Sequence, residues 1–329
     1  MNLPAPLRQA IDRALERTPL PALRQAASTL SERYRGEVRD GRLHMADDLA
    51  VKAYLAQRMP ATYAAIRASL GALAEARPDF RPKTLLDIGA GPGTALWAVA
   101  DLWPGLEQAV LIEASDAARA TGRALAQDSL NIRTDWVKGD ATRGLPTSKP
   151  ADLVTMAYVL DELAPSEVAP LIDRIWAVAA DAVLIIEPGT PAGWRRILAA
   201  RMQLIKYGAQ VVAPCPHDLP CRLEGSDWCH FSRRVARSRL HRLTKDADVP
   251  WEDEKFAYLA VSRHSRDATR NPRVLAPPRA GSGKVSLKLC QPDGRAAEQL
   301  FTKRNGEGYK IARRAGWGDS LQLDADLCS

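Results

Sequence analysis

The sequence predicts an α/β fold in which helices cover both faces of a mainly parallel sheet. Apolar stretches of strand length begin at residue 84 and alternate with helical stretches, an alternation typical of parallel sheets. Val168, Leu171, Ile172 and Ile175, for example, recur at the spacing of one helix face. The predicted strands are residues 84–88, 109–112, 132–137, 153–157, 183–186, 256–262 and 285–290.

The first eighty residues predict a helical module ahead of the sheet. Apolar residues recur at helical spacing in three stretches, within residues 7–15, 23–30 and 63–73. Prolines at positions 19, 21 and 60 separate these stretches and mark places where helices end or begin. No residue pattern in this module indicates catalysis.

Length and composition bound the class of protein. The chain has 329 residues, of which 46% are hydrophobic, and this is enough for a normal core. It contains no apolar run long enough to predict a membrane span. The N-terminus lacks a hydrophobic signal segment, and Asp12 and Glu16 argue against a transit peptide, so a cytoplasmic location is predicted.

The net charge of +7 is unevenly distributed along the chain. Residues 195–245 carry eleven Lys or Arg against three acids, and residues 263–314 carry thirteen against four. The rest of the chain is therefore acidic. Two adjoining basic segments favour a polyanionic partner, most simply RNA, over a merely solvated surface.

A glycine-rich loop follows the first predicted strand, with Gly89, Gly91 and Gly93 in the pattern G-x-G-x-G after Asp87. Glycines allow a tight turn and the close approach of a ligand, to which the next helix offers its N–H groups. A dinucleotide site would show G-x-G-x-x-G. The pattern found here suits S-adenosylmethionine, whose ammonium group Asp87 could meet. A purely structural turn is the alternative for the three glycines.

Two carboxylates after later strands complete the predicted cofactor site. Glu113 ends the second strand, where it could accept hydrogen bonds from both ribose hydroxyls. Asp140 follows the third strand, where it could accept one from the adenine amino group. Either residue alone could be a solvated strand end, so the cofactor interpretation depends on their joint placement with the glycine loop.

The segment after the fourth strand does not indicate a reaction. It lacks the Asn-Pro-Pro-Tyr sequence of methyltransferases that act on the amino groups of bases. Asp161 and Glu162 could act as a general base, but an acidic cap of the next helix is the simpler interpretation. The sequence therefore predicts a cofactor and leaves the catalytic residues unknown.

Three of the five cysteines, Cys215, Cys221 and Cys229, lie close together, and Cys290 follows far downstream. Their C-x5-C-x7-C spacing is looser than the short knuckles of structural zinc sites. It favours an iron–sulfur cluster, because a cluster is larger than one ion and its ligands lie further apart.

Residues 213–231, here called the cysteine loop, also contain two histidines, so zinc is a second candidate metal. His217 or His230 could replace a thiolate, so zinc held by three cysteines and one histidine is the alternative. A disulfide framework is disfavoured because nothing in the chain indicates secretion. Cys328, near the C-terminus, is expected to be an ordinary thiol.

The segment after the cysteine loop is rich in arginine. Arg233, Arg234 and Arg237 are spaced to lie along one face of a helix, where their guanidinium groups could meet RNA phosphates. A solvated amphipathic helix is the alternative, since Val235 and Leu240 offer an apolar side.

Together these motifs resemble the methyltransferase-like small-ribosomal-subunit assembly factor family, which is found in mitochondria and has bacterial relatives. The resemblance runs from the glycine loop to near the C-terminus, and its cysteine stretches are specific. The matching stretches are residues 86–94, 186–191, 213–217, 227–231, 252–256 and 314–319.

The resemblance implies a four-iron four-sulfur cluster (4Fe–4S) held by Cys215, Cys221, Cys229 and Cys290. It also implies binding to the rRNA of the small ribosomal subunit during its maturation. The expected protein is a small-subunit assembly or translation factor with an S-adenosylmethionine-dependent methyltransferase-like (Rossmann-like) fold. An active S-adenosylmethionine-dependent RNA methyltransferase is the alternative.

These observations predict four parts of the chain. Residues 1–80 form the helical module, and residues 81–195 with 250–292 form the methyltransferase-like domain. Residues 196–249 form a basic iron–sulfur insertion that Cys290 closes, and residues 293–329 form a basic C-terminal extension. Residues 263–284, rich in Pro, Arg and Gly, are expected to be an exposed loop.

Overall fold

The structure, a computed structural model, describes residues 2–38, 40, 42–127, 129–146, 149–245, 248–264 and 270–322. These residues form two sheets, of which the larger carries the glycine loop. The strands of the larger sheet are β1 (Thr84–Ile88), β2 (Gln108–Glu113), β3 (Arg133–Lys138), β4 (Ala151–Ala157), β5 (Ala179–Pro188), β6 (Gln210–Ala213), β7 (Phe231–Ala236) and β8 (Trp251–Ser262).

The larger sheet has the strand order β3-β2-β1-β4-β5-β8-β6, and β7 also pairs with β8. The first five strands in this order, β3 to β5, are parallel to one another. β8 runs antiparallel to β5, and β6 and β7 run antiparallel to β8. The predicted α/β fold is therefore confirmed, with an antiparallel edge added to a parallel sheet.

Helices cover both faces of this sheet. Leu85 and Leu184 face one hydrophobic core, whereas Leu86 and Val183 face a second core on the other side. Burial on both faces explains why the strands read as continuous apolar runs rather than alternating ones. The helices are α5 (Thr94–Leu102) and α6 (Asp116–Ala126) on the first face, and α7 (Pro165–Val178) and α8 (Pro191–Lys206) on the second.

The helical module packs against the first face of the sheet. Leu7, Leu23 and Leu70 belong to the same core as the sheet residues, so module and sheet form one packed unit. The sequence does not predict the third helix, because its buried residues, six of ten, include five consecutive positions and leave no distinct apolar face. Within the described ranges, no helix combines the length and apolarity needed to cross a bilayer. The module consists of α1 (Ala5–Leu15), α2 (Leu20–Arg35), α3 (Asp48–Gln57) and α4 (Met59–Ala76).

The arginine-rich segment after the cysteine loop forms strand β7, so the prediction of a helical arginine face is wrong. Pairing with β8 places Arg233 opposite Glu254 and Arg234 opposite Asp253. Opposite charges on facing strands favour this extended pairing. A short helix, α9 (Arg239–Lys245), follows the strand.

The smaller sheet has its own core beneath a helix. Val285, Leu287 and Leu289 alternate along one strand and pack with residues of the covering helix. The prediction that residues 285–290 close the larger sheet is therefore wrong, and β6, which the sequence does not predict, lies at that edge. This sheet consists of β9 (Arg273–Val274), β10 (Arg279–Gly281), β11 (Lys284–Cys290) and β12 (Ala296–Thr302), and its helix is α10 (Glu307–Arg314).

The predicted exposed loop at residues 263–284 contributes two of these strands, β9 and β10. Val274 and Leu275 are buried, so this part of the segment is packed rather than exposed. Residues 265–269 lie outside the described residues. The predicted C-terminal extension likewise supplies β12 and α10 to the smaller sheet.

Candidate functional site

A cavity of about 960 Å³ opens at the carboxyl ends of β1, β2 and β4. The strand order reverses here, because β1 has β2 on one side and β4 on the other. Ligands of open α/β sheets bind at such switch points. Five of the six predicted cofactor residues line the cavity, and Gly93 instead precedes the first residue of α5. The five are Asp87, Gly89, Gly91, Glu113 and Asp140.

The glycine loop requires glycine for its conformation and for its packing. Gly89 and Gly91 have φ angles of 66° and 53°, a region that side chains with a Cβ rarely adopt. A Cβ on Gly89 would lie 2.4 Å from Cγ2 of Val159. A Cβ on Gly91 would lie 3.1 Å from Cε of Met45, a residue of the helical module. The loop therefore presents its backbone to the cavity.

Asp87 is a buried carboxyl group at the base of the cavity. Its Oδ1 accepts a hydrogen bond of 2.7 Å from Thr155 Oγ1, and among the described residues no donor reaches Oδ2. Burial, and to a lesser degree the charge of Glu113, raises the pKa of Asp87 to about 7. A cationic donor in the cavity would satisfy Oδ2 and favour the ionised form.

Replacing Asp87 by asparagine should stabilise the ligand-free protein more at pH 8 than at pH 5. A carboxyl group whose pKa is raised on folding destabilises the fold once it ionises. The penalty is absent below the ordinary value near 3.8, grows through the window up to about 7, and is complete above it. A shift of this size corresponds to at most about 4 kcal/mol. Urea unfolding at both pH values measures the difference, and a gap that is the same at both would contradict it.

Glu113 connects the glycine loop with the turn before α6, both of which line the cavity. Its carboxylate accepts hydrogen bonds from the backbone N–H of Gly91 at 2.8 Å and of Ser115 at 2.7 Å. Burial raises its pKa, although these two donors oppose the shift. Asp140 lies at the more exposed rim, where its Oδ1 accepts from the backbone N–H and the hydroxyl of Thr142. Glu113 is thus rigidly held, and both carboxylates face the same cavity.

Tyr158 and Arg58, which also line the cavity, are residues that sequence reasoning missed. Tyr158, at the end of β4, has a φ of 58°, which is a strained conformation for a bulky residue. Its hydroxyl donates to Glu254 at 2.9 Å, and the same carboxylate pairs with Arg58 at 3.1 Å. These residues come from three distant parts of the chain, and no local motif signals that they meet.

Glu162 lines the same cavity, and the interpretation of Asp161 and Glu162 as a helix cap is wrong. The N-cap of α7 is Ala164, whose N–H donates to Glu167. The Glu162 side chain is 37% exposed to solvent, and its enclosure by the cavity, followed by the charges of Asp161 and Glu113, raises its pKa. His44 Nε2 lies 3.7 Å from its carboxylate.

A second site lies at the cysteine loop, where Ile197 and Arg201 of α8 line it. Cys215, Cys221, Cys229 and Cys290 all line one small cavity together with His217, whose Nε2 is 3.4 Å from the Cys290 sulfur. Within the described part of the chain, no three His, Cys, Asp or Glu residues are grouped closely enough to hold a metal ion. The cluster insertion therefore stays a prediction.

Burial raises the pKa of the Cys215, Cys229 and Cys290 thiols, and neighbouring thiols raise it further. Two buried arginines hold the loop around these thiols. Arg201 donates to the carbonyls of His217 and Leu219, and Arg273 donates to that of Pro214. Their positive charge would offset the negative charge of thiolates.

The second histidine of the loop lies apart from the thiol cavity. The His230 ring stacks on Trp228 with centroids 5.0 Å apart and meets the Trp317 ring edge-on at 4.9 Å. Trp228 also donates its indole N–H to the carbonyl of Gly189 at 3.0 Å. Of the two histidines proposed as alternative ligands, only His217 lies among the thiols.

The predicted RNA-binding arginines make contacts within the protein. Arg234 pairs with Asp253 through two hydrogen bonds and lies over the Trp251 ring at 5.3 Å. Arg237 donates to Glu252, and Arg233 donates to the carbonyl of Trp317. Only the Arg234 side chain is largely exposed, at 64%. Their role in RNA binding stays a prediction.

Comparison with known proteins identifies relatives of this chain. A family model described as mitochondrial small ribosomal subunit Rsm22 matches residues 48–322. The human mitochondrial ribosome assembly protein METTL17 is 28% identical over 288 residues, which cover 82% of this chain and 62% of the relative. The mitochondrial Rsm22-cox11 tandem protein 2 of Schizosaccharomyces pombe is 22% identical over 334 residues, which cover 86% and 44%.

The chain thus matches less than two thirds of the length of these curated relatives. All of them, and the family model, are described as mitochondrial. The predicted cytoplasmic location is therefore wrong.

Solved methyltransferase structures are similar only at a distance. Magnesium protoporphyrin IX methyltransferase from Synechocystis, with bound SAM, is 14% identical with a TM-score of 0.43, covering 72% of this chain and 92% of that one. An O-methyltransferase family protein from Burkholderia thailandensis is 16% identical with a TM-score of 0.43, covering 73% and 69%.

Proposed function

The chain belongs to the Rsm22 family of mitochondrial small ribosomal subunit proteins, and on this premise we propose that it is a small-subunit assembly factor. In this proposal it binds S-adenosylmethionine, a 4Fe–4S cluster and rRNA, and the relatives' names support the mitochondrion as its compartment. The observation that carries the proposal is the cavity at the switch point, where the glycine loop, Asp87, Glu113 and Asp140 face one volume.

S-adenosylmethionine fits the charges of this cavity. Asp87 has an acceptor atom without a described donor, and the ligand's ammonium group would supply one. Glu113 would accept from the ribose hydroxyls through its remaining lone pairs, and Asp140 from the adenine amino group. Three carboxylates favour a cation such as the sulfonium and disfavour a pyrophosphate. When bound, the cofactor supplies an activated methyl group.

The four cysteines are the proposed ligands of the cluster. Their convergence on one cavity supports this, because Cys290 comes from the smaller sheet and the other three come from the loop between β6 and β7. A closed set of four thiolates suits a cluster that binds the two sheets together. Zinc held by three of these cysteines and His217 is the competing occupant.

Ribosome co-sedimentation with and without S-adenosylmethionine tests the assembly role. The protein should sediment with small subunits and do so less as salt rises, because phosphate contacts release counterions. Co-sedimentation that is absent at low salt would contradict the proposal.

Reversing Arg239 and Arg242 to glutamate should weaken small-subunit binding and lower its salt dependence. Both side chains are exposed on α9, in the first basic segment, and each phosphate contact contributes about one unit to the slope of log K against log salt. They are better targets than Arg237, whose reversal would face Glu252 with a like charge. The matched control reverses Arg8 and Arg13, exposed on α1. An equal loss in both variants would show a nonspecific charge effect.

An active RNA methyltransferase is the second candidate, and two residues that line the cavity, Tyr158 and Glu162, favour it. Tyr158 is strained at the end of β4, and such strain clusters at functional sites. Glu162 has a raised pKa, which suits a general base. Transfer of labelled methyl groups to immature small subunits tests this activity. If transfer occurs, Glu162→Gln should reduce it on the order of a hundredfold, and a protein that transfers nothing would remove this candidate.

A further inference from the structure

A segment of the helical module crosses the mouth of the cofactor cavity. Residues 42–47, here called the strap, are the last six residues before α3. They lie outside the range that the family model matches. The carbonyl of Met45 accepts a hydrogen bond of 2.5 Å from the hydroxyl of Ser115. Asp47 caps α3 by accepting from the N–H of Ala50. The strap is thus fastened at its C-terminal end both to α3 and to the loop before α6.

The other end of the strap is held by α2. Arg33 donates from Nε to Nδ1 of His44 at 3.1 Å and from a terminal nitrogen to the carbonyl of Arg42 at 3.0 Å. The His44 ring lies 4.8 Å from the Tyr34 ring and is buried. Its other nitrogen faces Glu162 across 3.7 Å. His44 therefore points into the fold, whereas Leu43 is 41% exposed at the cavity mouth.

The strap, the glycine loop and the segment from Glu113 to Ser115 form one connected ring of contacts. Glu113 accepts from the N–H groups of Gly91 and Ser115, and Ser115 donates to the Met45 carbonyl. The Met45 methyl group lies 3.1 Å from the position that a Cβ on Gly91 would occupy, and this packing closes the ring. Any ligand that lies on the glycine loop must share this space with Met45.

We propose that the strap forms one wall of the S-adenosylmethionine site, with Met45 packed against the bound cofactor and Ser115 holding the strap in place. This rests on the proposed cofactor function and extends it to the helical module, to which the sequence assigns no role. A thioether is apolar, polarisable and adaptable, so Met45 can follow the surface of a sulfur-containing ligand.

The test measures S-adenosylhomocysteine binding by calorimetry and the hydrogen exchange of the strap amides with and without this ligand. Met45→Ala should weaken binding roughly tenfold, because a methionine contact of this kind is partly buried by the ligand. Met202→Ala is the matched control, since Met202 is 57% exposed on α8. In the unmodified protein, the ligand should slow exchange of the strap amides, and this measurement does not depend on a variant that folds.

The outcomes separate two failures. If the unmodified protein binds the ligand, but Met45→Ala binds equally well and strap exchange is unchanged, the strap inference is overturned and the cofactor function stands. If the unmodified protein binds no S-adenosylhomocysteine or S-adenosylmethionine, the cofactor function falls and the strap inference falls with it.

Discussion

Cys229→Ser protein purified without oxygen should be colourless, whereas the unmodified protein should be brown, with about four irons and four sulfides per chain. The hydroxyl of serine is a poor substitute for a thiolate, and the Cys229 thiol faces the same cavity as the other three. Ligand binding contributes to folding, so the loss should lower the free energy of unfolding by more than about 4 kcal/mol. Iron and sulfide analysis together with thermal unfolding measures both effects.

Cys328→Ser is the matched control for this substitution. Cys328 lies outside the described residues, and the sequence predicts an ordinary thiol there, so colour and stability should not change. An unmodified protein that is colourless and holds one zinc per chain would refute the cluster. His217→Ala would then test the zinc alternative, because this histidine is the one beside Cys290.

The sequence predicts that residues 285–290 form a strand, but it does not predict the sheet to which this strand belongs. The alternation of Val285, Leu287 and Leu289 indicates a strand with one buried face. It does not indicate the partner of that strand, because pairing depends on contacts that are distant in sequence. These residues share a hydrophobic core with α10, and this packing places the strand in the smaller sheet. Cys290 therefore reaches the thiol cavity from a second sheet.

The arginine segment shows why spacing alone can mislead. Arg233, Arg234 and Arg237 fit one face of a helix, but a strand places Arg233 and Arg234 on opposite faces. On β8, Glu254 lies opposite Arg233 and Asp253 lies opposite Arg234, within the acidic run of residues 252–254. The acidic run is visible in the sequence and indicates a strand partner for the arginines, since complementary charges stabilise facing strands.

The meeting of Asp87, Glu113 and Asp140 at one cavity is predictable because these residues belong to or follow parallel strands of one sheet. Asp87, Glu113 and Asp140 each lie at or just after the carboxyl end of a strand, and these ends meet at one edge of the sheet. The ion pair beside Tyr158 is not predictable in this way. Arg58, between α3 and α4, meets Glu254 of β8 across the fold, and neither residue lies in a recognisable motif.

Gly91→Val should abolish S-adenosylmethionine binding, with a loss on the order of a hundredfold or more in affinity. The backbone of Gly91 has a φ of 53°, and its N–H donates to Glu113. A valine there would place its Cβ 3.1 Å from the Met45 methyl group and its branches in the space that the ligand needs. It would also carry a backbone strain of roughly 1–2 kcal/mol. Calorimetry with both proteins measures the change.

Gly208→Val separates the loss of the site from the backbone strain. Gly208 has a φ of 82°, and a Cβ there would meet no described atom within 4 Å, so the variant carries a similar strain away from the cavity. It should bind S-adenosylmethionine as the unmodified protein does, with a comparable fall in stability. Equal binding by Gly91→Val and the unmodified protein would remove the loop from the site. Binding of NAD in place of S-adenosylmethionine would instead favour an oxidoreductase, because the loop would then hold a pyrophosphate.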